Sequence, residues 1–420
     1  MNAPSGADFA ATARAAEAEM RAVFEATPLM RNDFLGLRFG AEIWLKREDL
    51  SPVRSYKIRG AFNAMRKLLL ADPEQRHFVC ASAGNHAQGV AWVARHFGVQ
   101  ATIFMPVTTP QQKIGKTRAF GGAAVTIRLT GDYFDQSLAA AQAFCRAEGA
   151  HFLSPFDDDD VIEGQASVAV ELLAQLPAPP DVVILPVGGG GLAAGVTAYL
   201  AAEAPGAEML YVEPAGGASL TAALAAGAPV TLEKVDSFVD GAAVAQVGAR
   251  TFRRLAAVAA GAVLRAPENR ICGTMLEMLN VEGIVLEPAG ALAVDVLPEL
   301  RARITGKRVV CITSGGNFDF ERLPEVKERA MRYSGLKKYF LLRLPQRPGA
   351  LRDFLEMLGP EDDIARFEYL KKSARNFGSV LLGIETTAPE NFAALAGKLT
   401  AAGYDFRDIT EDDTLGGFVI

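Results

Sequence analysis

The stretch "DVVILPVGGGGLAAG", Asp181–Gly195, joins an apolar run to four consecutive glycines and then to a run of small residues. Val182–Val187 is apolar at successive positions, which is typical of a strand buried on both faces of a sheet. The glycines indicate a tight turn, and the residues after them predict a helix. Strand, turn and helix in this order form the repeating unit of an α/β fold with a buried, mainly parallel sheet.

The same alternation extends over about the first 320 residues. Further short apolar runs predict strands, and helical patterns separate most of them. In sheets of this kind ligands bind beyond the carboxyl ends of the strands, so the loops that follow strands are the candidate functional segments. The predicted strands are 77–82, 101–106, 123–129, 181–187, 208–214 and 307–314, and the predicted helices include 86–97, 135–148 and 191–203.

The sequence changes character at about Glu321. A charged segment predicts a linker helix over 321–337, and the apolar patterns after it predict strand, helix, two strands, helix and strand. That βαββαβ order is typical of a ferredoxin-like domain. We therefore expect an α/β region at 1–320 and a second domain at 338–420. The second domain has no obvious catalytic group, so it either joins chains through its sheet edges or binds a ligand.

Composition limits the class of protein. Half of the 420 residues are apolar and the net charge is −6, which indicates a globular chain with a mildly acidic surface. No basic block favours nucleic acid or anionic lipid. The four cysteines and four histidines lack disulfide or metal-ligand spacing, so we expect reduced thiols and no metal. The N-terminal segment lacks the apolar core of a signal peptide, and Pro186 and the glycines interrupt the one long uncharged window, so we expect a cytoplasmic protein without a membrane span.

The glycine loop is a candidate phosphate site. Backbone N–H groups of four glycines can surround a phosphate, and the helix that follows adds its dipole. The loop lacks the Lys-Ser/Thr ending of nucleoside-triphosphate sites. A nicotinamide dehydrogenase would need an acidic residue about twenty positions on, where Glu208 and Glu213 are the candidates. A tight turn without a ligand is the remaining alternative.

Two more loops follow predicted strands. "SAGNHAQG", Ser82–Gly89, combines small residues with Asn85 and His86, and the helix after it begins at an anion-binding position. Asn85 could orient a ring oxygen and His86 could donate a hydrogen bond, or the loop could be an ordinary turn with an Asn cap. "CITSGGN", Cys311–Asn317, offers the neutral hydroxyl of Ser314, although such a sequence is also typical of plain turns.

Three segments add charge. "SPVRSYKIRG", Ser51–Gly60, has Lys57 at its centre; a lone lysine is ordinarily a solvated surface group. The run Asp157–Asp160 precedes a helix, where acids favour the dipole, and a direct active-site role is the alternative. Glu287 lies before another helix and could form a wall of a pocket. A lysine, a phosphate loop, an asparagine and a strand-end serine together suit pyridoxal phosphate, which needs a lysine for its Schiff base.

With these motifs the chain resembles the biosynthetic threonine dehydratases (threonine ammonia-lyases). These belong to the fold-type II, tryptophan-synthase-β-like pyridoxal-phosphate enzymes. The matching motifs occur in family order from residue 45 to residue 317, and "PQRPGAL" resembles the family's ACT-like regulatory domain. The motifs are "KREDLSPVRSYKIRGA", "SAGNHAQGVA", "FDD…VIEGQ", "PVGGGGLAAG", "VDGAAV", "EPAGAL" and "SGGN". The resemblance implies two open, parallel-rich lobes followed by a ferredoxin-like ACT-like domain.

The resemblance also implies roles for individual residues. Lys57 would be the Schiff-base lysine and the catalytic base, with Tyr56 beside the ring. The cofactor would further contact Asn85 at its phenolic oxygen, Ser314 at its ring nitrogen, and Gly188, Gly189, Gly190, Gly191 and Leu192 at its phosphate. The substrate would be held by Ser82, Ala83, Gly84, Asn85 and His86, through backbone N–H groups, and by Gly241.

The implied reaction converts L-threonine to 2-oxobutanoate and ammonia at the start of isoleucine synthesis, in a homotetramer inhibited by isoleucine, with valine as a second effector candidate. A serine or threo-3-hydroxyaspartate dehydratase and a non-catalytic amino-acid sensor are the alternatives. Ala83 occupies the position of the second acid-base serine of related racemases, which argues against racemisation. Ser219 stands where metal-binding relatives have an aspartate beyond Glu213, so no divalent metal site is expected.

Overall fold

A computed structural model of the chain describes residues 6–371 and 376–412. Contacts divide the chain into two compact units, Met1–Phe320 and Glu321–Ile420. Residues 1–5, 372–375 and 413–420, which fall within the predicted domains 1–320 and 338–420, lie outside the described part. Each unit is described below by itself.

The first unit alternates strands and helices along the chain. Its strands are β1 (Leu29–Arg31), β2 (Glu42–Arg47), β3 (His77–Ala81), β4 (Gln100–Met105), β5 (Val125–Leu129), β6 (His151–Phe152), β7 (Val182–Pro186), β8 (Glu208–Pro214), β9 (Val263–Ala266) and β10 (Arg308–Thr313). Its helices are α1 (Gly6–Arg21), α2 (Asp33–Phe39), α3 (Lys57–Ala71), α4 (Asn85–Phe97), α5 (Gln111–Gly121), α6 (Phe134–Glu148), α7 (Asp159–Gln175), α8 (Gly191–Glu203), α9 (Ser219–Ala226), α10 (Ala249–Leu255), α11 (Glu268–Glu282), α12 (Pro288–Asp295) and α13 (Leu297–Ile304).

The larger sheet of this unit has the strand order β1-β2-β10-β7-β8-β9. Its neighbours pair in parallel, except that the edge strand β1 runs antiparallel to β2. Every residue of β7 is buried, because helices cover both faces of the sheet. The uninterrupted apolar run that opens the glycine motif is therefore an interior strand, as the sequence predicts.

The smaller sheet has the order β5-β4-β3-β6 and is parallel throughout. Its core is separate from that of the larger sheet and includes Phe62, Phe78, Val90 and Ile103. The unit thus consists of two parallel-rich lobes, which confirms the predicted α/β fold class.

The second unit begins with α14 (Leu323–Tyr333) and continues as β11 (Lys337–Pro345), α15 (Ala350–Leu355), β12 (Asp363–Leu370), β13 (Phe377–Glu385), α16 (Glu390–Ala401) and β14 (Asp405–Asp408). The strand order β12-β13-β11-β14 with antiparallel pairing is that of a ferredoxin-like sheet, as predicted. The connecting helix ends at Tyr333 and β11 begins at Lys337, so the helix is shorter than the predicted linker.

Two further observations concern the described residues. Within residues 6–371 and 376–412, no helix is both long enough and apolar enough to cross a bilayer. The uncharged window around Pro186 divides into β7, the glycine loop and α8, which is the division expected from its sequence.

Candidate active site

The segment before α3 is attached to the end of β10. The Tyr56 N–H donates to the Ser314 carbonyl over 3.1 Å, and the Gly316 N–H donates to the Arg54 carbonyl over 2.9 Å. Ser55 and Gly315 form an isolated antiparallel bridge. Because α3 begins at Lys57, these contacts bring the lysine and the strand-end serine to the same edge of the larger sheet, although the two lie far apart in sequence.

The Lys57 amine is surrounded by aromatic and carbonyl groups. Its Nζ donates to the Pro155 carbonyl over 2.8 Å and lies 5.1 Å from the centre of the Tyr56 ring and 6.0 Å from that of Phe156. Burial lowers the pKa of Lys57 to about 8, against the opposing effect of the Glu287 carboxylate. Near neutral pH a fraction of the amine is therefore unprotonated, as a nucleophile or general base requires.

Buried ion pairs hold α3 in place behind Lys57. The Arg59 side chain is fully buried and donates to Glu48 over 2.8 Å and to Glu171 over 2.7 Å. The buried Lys46 amine donates to the other oxygen of Glu171 over 2.6 Å. Burial raises the pKa of Glu171, but Arg59 and Lys46 outweigh it and hold that pKa at about 2. Buried ion pairs thus hold the first turn of α3 against β2 and α7.

The glycine loop is shaped so that only glycine fits. A Cβ on Gly189 would lie 2.3 Å from the Phe156 ring, and a Cβ on Gly188 would lie 2.9 Å from the Ala242 backbone. Gly190 has a φ of 89°, a conformation that residues with a side chain rarely adopt. The Gly189 carbonyl accepts from the Thr251 hydroxyl over 2.8 Å, and because the peptide is planar and trans, the Gly190 N–H points the opposite way.

The helix after this loop completes an anion-binding cradle. α8 begins at Gly191 and its first residues, including Leu192, are buried. The first N–H groups of a helix have no partners within the helix, and the dipole favours a negative charge there. The loop and the helix end are therefore suited to a phosphate group.

The acidic run before α7 is used for helix ends and ion pairs. Asp158 caps α7 by accepting from two backbone N–H groups over 2.9 and 3.0 Å. Asp157 accepts from the Arg250 N–H over 2.6 Å at the start of α10, while Asp159 and Asp160 pair with Arg250 and Lys67. These contacts confirm the helix-start interpretation, and Asp157 additionally supports the turn whose Thr251 holds the glycine loop.

Glu287 lies where three predicted segments meet. Its Oε1 accepts from the Asn85 Nδ2 over 2.6 Å, and a Cβ added to Gly315 would lie 2.3 Å from that oxygen. A Cβ on Gly241 would approach the same oxygen to 3.5 Å. Burial raises the pKa of Glu287 to about 7, Asp240 acts in the same direction, and the bond from Asn85 opposes both. The structure thus brings Asn85, Gly241 and the loop after Ser314 together around one carboxylate.

The predicted substrate loop connects β3 to α4. The Ser82 N–H donates to the Phe104 carbonyl over 3.0 Å, and the Gly84 N–H donates to the Ser82 hydroxyl over 3.2 Å. Ala83 lies between them, and α4 begins at Asn85. The Gly84 N–H is therefore already engaged, and the first N–H groups of α4 remain the better candidates for a carboxylate.

The His86 ring has a different role from the one its position suggests. Its Nε2 lies 3.0 Å from the Leu153 carbonyl, and because a carbonyl only accepts, this nitrogen carries the proton. Burial and the neighbouring Lys57 lower the pKa of His86 to about 3, so the ring is neutral at physiological pH. The ring therefore stabilises the loop against residue 153, and only the backbone of His86 is placed to bind a substrate.

Sequence reasoning missed several residues of this site. Phe156 packs against the glycine loop, Thr251 holds its Gly189 carbonyl, and Asn317 donates to Asn85 over 2.8 Å. Asn317 belongs to the quoted "SGGN" and Phe156 to "FDD", but neither motif by itself indicates a contact. Thr251 lies in a segment without a motif, and no signal in the sequence points to it.

Comparison with known families covers almost the whole chain. Residues 21–315 match the family described as pyridoxal-phosphate dependent enzyme. Residues 328–419 match the C-terminal regulatory domain of threonine dehydratase.

Individual relatives match along both units. The biosynthetic L-threonine dehydratase IlvA of Bacillus subtilis is 45% identical over 93% of this chain and 92% of its own length. The proteins of the same name from Lactococcus lactis and Mycobacterium tuberculosis are each 46% identical, over 94% of this chain and 96% and 92% of their own lengths. The chain belongs to the biosynthetic threonine dehydratase family.

Solved structures agree with this membership. Threonine deaminase isoform 2 of Solanum lycopersicum, in its processed form, superposes with a TM-score of 0.73 at 35% identity, covering 79% of this chain and 89% of that one. A serine racemase from maize superposes with a TM-score of 0.69 at 27% identity, covering 77% and 98%. The fold of this dehydratase family member is thus shared with enzymes named for a different reaction, such as serine racemase.

Pyridoxal phosphate, the cofactor of the family, fits the residues present. The glycine loop would accept its phosphate, since the loop leads into the start of α8, where the first backbone N–H groups have no partners within the helix. Lys57 supplies an amine with a lowered pKa at the same sheet edge, and Ser314 supplies a neutral, buried hydroxyl. Glu213, by contrast, receives the N–H groups of Leu220 and Thr221 over 2.6 and 2.9 Å, so its carboxylate serves the start of α9.

Proposed function

We propose that this chain eliminates water from L-threonine and releases 2-oxobutanoate and ammonia, with pyridoxal phosphate as cofactor. One observation carries the substrate assignment. The match to proteins named biosynthetic L-threonine dehydratase runs through both units, at 45% identity over 93% of the chain. The geometry of the first unit supports the assignment, because a lysine with a lowered pKa, a phosphate cradle and a neutral serine meet at one sheet edge.

Each predicted residue receives a role in this proposal. Lys57 anchors the cofactor, and Tyr56 packs beside the ring. The N–H groups of Gly188, Gly189, Gly190, Gly191 and Leu192 hold the phosphate. Asn85 donates to the ring oxygen, and Ser314 faces the ring nitrogen. The loop of Ser82, Ala83, Gly84, Asn85 and His86 surrounds the substrate carboxylate, which the N–H groups at the start of α4 bind, and Gly241 lines the substrate site.

The proton transfer follows from the state of Lys57. When bound, pyridoxal phosphate withdraws electrons from the α-carbon of an attached amino acid and makes its α-proton acidic. The Lys57 amine, when it is not bonded to the cofactor, would take up that proton, because burial lowers its pKa. Ser314, as a neutral partner, would leave the ring nitrogen of the cofactor uncharged, and the β-hydroxyl would leave as water with a proton supplied by the cofactor phosphate. The neutral His86 ring adds no further acid to the site.

The direct test is a comparison of substrates with the purified protein carrying its cofactor. We expect 2-oxobutanoate from L-threonine at a kcat/KM at least about tenfold above the value for L-serine, since one methyl group is worth about 1–3 kcal/mol. The value for threo-3-hydroxyaspartate should also be lower, since a charged carboxylate would replace the methyl group. Keto acid release is followed directly for each substrate. A higher kcat/KM for serine or hydroxyaspartate would reassign the enzyme within the same chemistry.

We further propose that the second unit binds isoleucine, with valine as a second candidate effector, and that the enzyme is a homotetramer. The match of residues 328–419 to a threonine dehydratase regulatory domain supports regulation by an amino acid. A tetramer would have about four times the chain mass of 44.7 kDa, which light scattering of the purified protein measures.

The regulatory proposal predicts a difference between the full chain and a chain that ends at Phe320, the boundary between the units. Isoleucine is expected to lower the apparent affinity of the full chain for threonine by about 5–150-fold. This is the usual range in which one bound ligand changes the affinity for another. The shortened chain is expected to remain active and insensitive. Calorimetry with isoleucine and the full chain, and circular dichroism of the shortened chain, serve as controls. Inhibition that persists without the second unit would contradict the proposal.

A further inference from the structure

A directed row of hydrogen bonds passes through Asn85. The Nδ2 of Asn317 donates to the Val53 carbonyl over 2.8 Å and to the Asn85 Oδ1 over 2.8 Å. The Nδ2 of Asn85 then donates to Glu287 over 2.6 Å. These residues come from the segment before α3, the start of α4, the start of α12 and the loop after β10, so the row connects four segments of the first unit that are distant in sequence.

The direction of this row is set by a backbone atom. An amide side chain has the same shape in both flipped orientations, so its partners decide which end points where. The Val53 carbonyl can only accept, which requires the NH₂ group of Asn317 on that side. The second hydrogen of the same NH₂ group faces Asn85, which must therefore present its carbonyl oxygen.

Glu287 selects the same orientation from the other side. In its ionised form, the buried Glu287 carboxylate accepts a hydrogen bond from the NH₂ group of Asn85 and would repel the carbonyl end. The Oδ1 of Asn317 makes no hydrogen bond with any residue in the described part of the chain. The side chain of Asn317 thus only donates hydrogen bonds, to Val53 and to Asn85. The Asn85 amide accepts from Asn317 and donates to Glu287.

We propose that Asn317 is a positioning residue, which holds the Asn85 carbonyl and so directs the second N–H of Asn85 toward the ring oxygen of the cofactor. The proposal rests on the role given to Asn85 in the proposed function. With the amide flipped, Asn85 would present a carbonyl to an oxygen that carries negative charge, and a favourable contact would become a repulsive one.

The test is Asn317→Asp, which keeps the size and shape of the side chain and removes both donors. We expect the affinity of the cofactor-free protein for pyridoxal phosphate to fall by about tenfold or more, the loss of a hydrogen bond to a charged group. We also expect the yellow absorbance per bound cofactor to fall at neutral pH, because that form carries the deprotonated ring oxygen. Both are measured by titration without substrate. Wild-type affinity and absorbance in this variant would overturn the proposal.

A matched control separates this effect from general damage. Asn63 is fully buried, whereas Asn317 is partly buried. Asn63 lies on α3 with Lys57, and it donates through Nδ2 to the Asp160 carbonyl over 2.8 Å and to Glu163 over 3.0 Å. Asn63→Asp is expected to lower the thermal stability and leave the absorbance of the bound cofactor unchanged. An equal change of absorbance in both variants would show that Asn317 acts only through the stability of the fold.

A double-mutant cycle tests whether Asn317 acts through Asn85. In an Asn85→Ala background, the added Asn317→Asp change is expected to have little further effect on cofactor affinity, and an undiminished effect would contradict the proposal. If Asn317→Asp does not fold, Asn317→Ala removes the donors without adding charge. It is expected to lower the cofactor affinity and the absorbance in the same direction, by a smaller amount. Normal cofactor binding without action on threonine would refute the proposed substrate and leave this inference standing.

Discussion

Replacing Lys57 by alanine is expected to lower 2-oxobutanoate release from L-threonine by about 10⁴-fold or more, because it removes both the anchoring amine and the general base. The amine lies at the start of α3 with its Nζ 2.8 Å from the Pro155 carbonyl, and no conservative change supplies a comparable group there. Keto acid release by the purified variant, with pyridoxal phosphate present in excess, measures the loss.

Lys67→Ala is the matched control, since Lys67 lies on the same helix and pairs with Glu163 at 3.2 Å on its more exposed side. This variant is expected to keep its activity. A Lys57→Ala protein that retains a tenth of the wild-type rate would show that another group carries out the proton transfer.

A second readout for Lys57 needs no cofactor. Its pKa in the folded protein is about 8, below the ordinary value of 10.5, so between these pH values the unfolded chain binds more protons than the folded one. The free energy of unfolding of the cofactor-free protein should therefore rise as the pH increases from 8 to 10.5. Lys57→Ala should lack this contribution, and an identical pH dependence in both proteins would show that the amine is not desolvated.

Replacing Glu171 by alanine is expected to lower the free energy of unfolding by about 3–5 kcal/mol, because it leaves the buried cations Arg59 and Lys46 without their shared partner. Arg59 also contacts Glu48, but Lys46 would keep only a backbone carbonyl and Gln175 as acceptors. The folded-state pKa of Glu171 is about 2, so the stabilisation is present above the ordinary pKa of 4.5 and is lost as the pH falls through 2.

Tryptophan fluorescence reports this loss selectively. Both tryptophans of the chain, Trp44 and Trp92, lie in the first unit, on β2 and α4, so unfolding of the second unit does not obscure the signal. Glu203→Ala breaks the exposed pair with Arg14 and should change the stability by less than about 1 kcal/mol. Equal losses in the two variants would mean that the buried pairs contribute no more than a surface pair.

The parts of the molecule that sequence predicted well depend on local patterns. The strand predicted at 181–187 is β7, Val182–Pro186, because an uninterrupted apolar run has few alternatives to an interior strand. The ferredoxin-like order of the second unit followed from alternating apolar patterns between turn signals. The acids at 157–160 were recognisable as a helix start because the helix dipole acts over the first turn, and Asp158 is the cap of that helix.

The parts that sequence did not predict depend on contacts between distant residues. Glu287 and Asn85 are 202 positions apart, and Asn317 and Asn85 are 232 apart, so no local pattern indicates that their side chains meet. The hydrogen-bond partner of the His86 ring was not predictable for the same reason, because Leu153 lies 67 positions away. Burial also changes chemistry in a way that composition does not show, as the lowered pKa of Lys57 illustrates.

The second unit has a hydrophobic core of its own, built from residues such as Phe340, Phe354 and Phe392. Every side chain assigned to the reaction belongs to the first unit. If the second unit regulates the enzyme as proposed, mutations that alter this regulation can accumulate in the last quarter of the coding sequence while the rest stays under selection for turnover. Evolution can then strengthen, weaken or remove the inhibition of this enzyme without a loss of its catalytic activity.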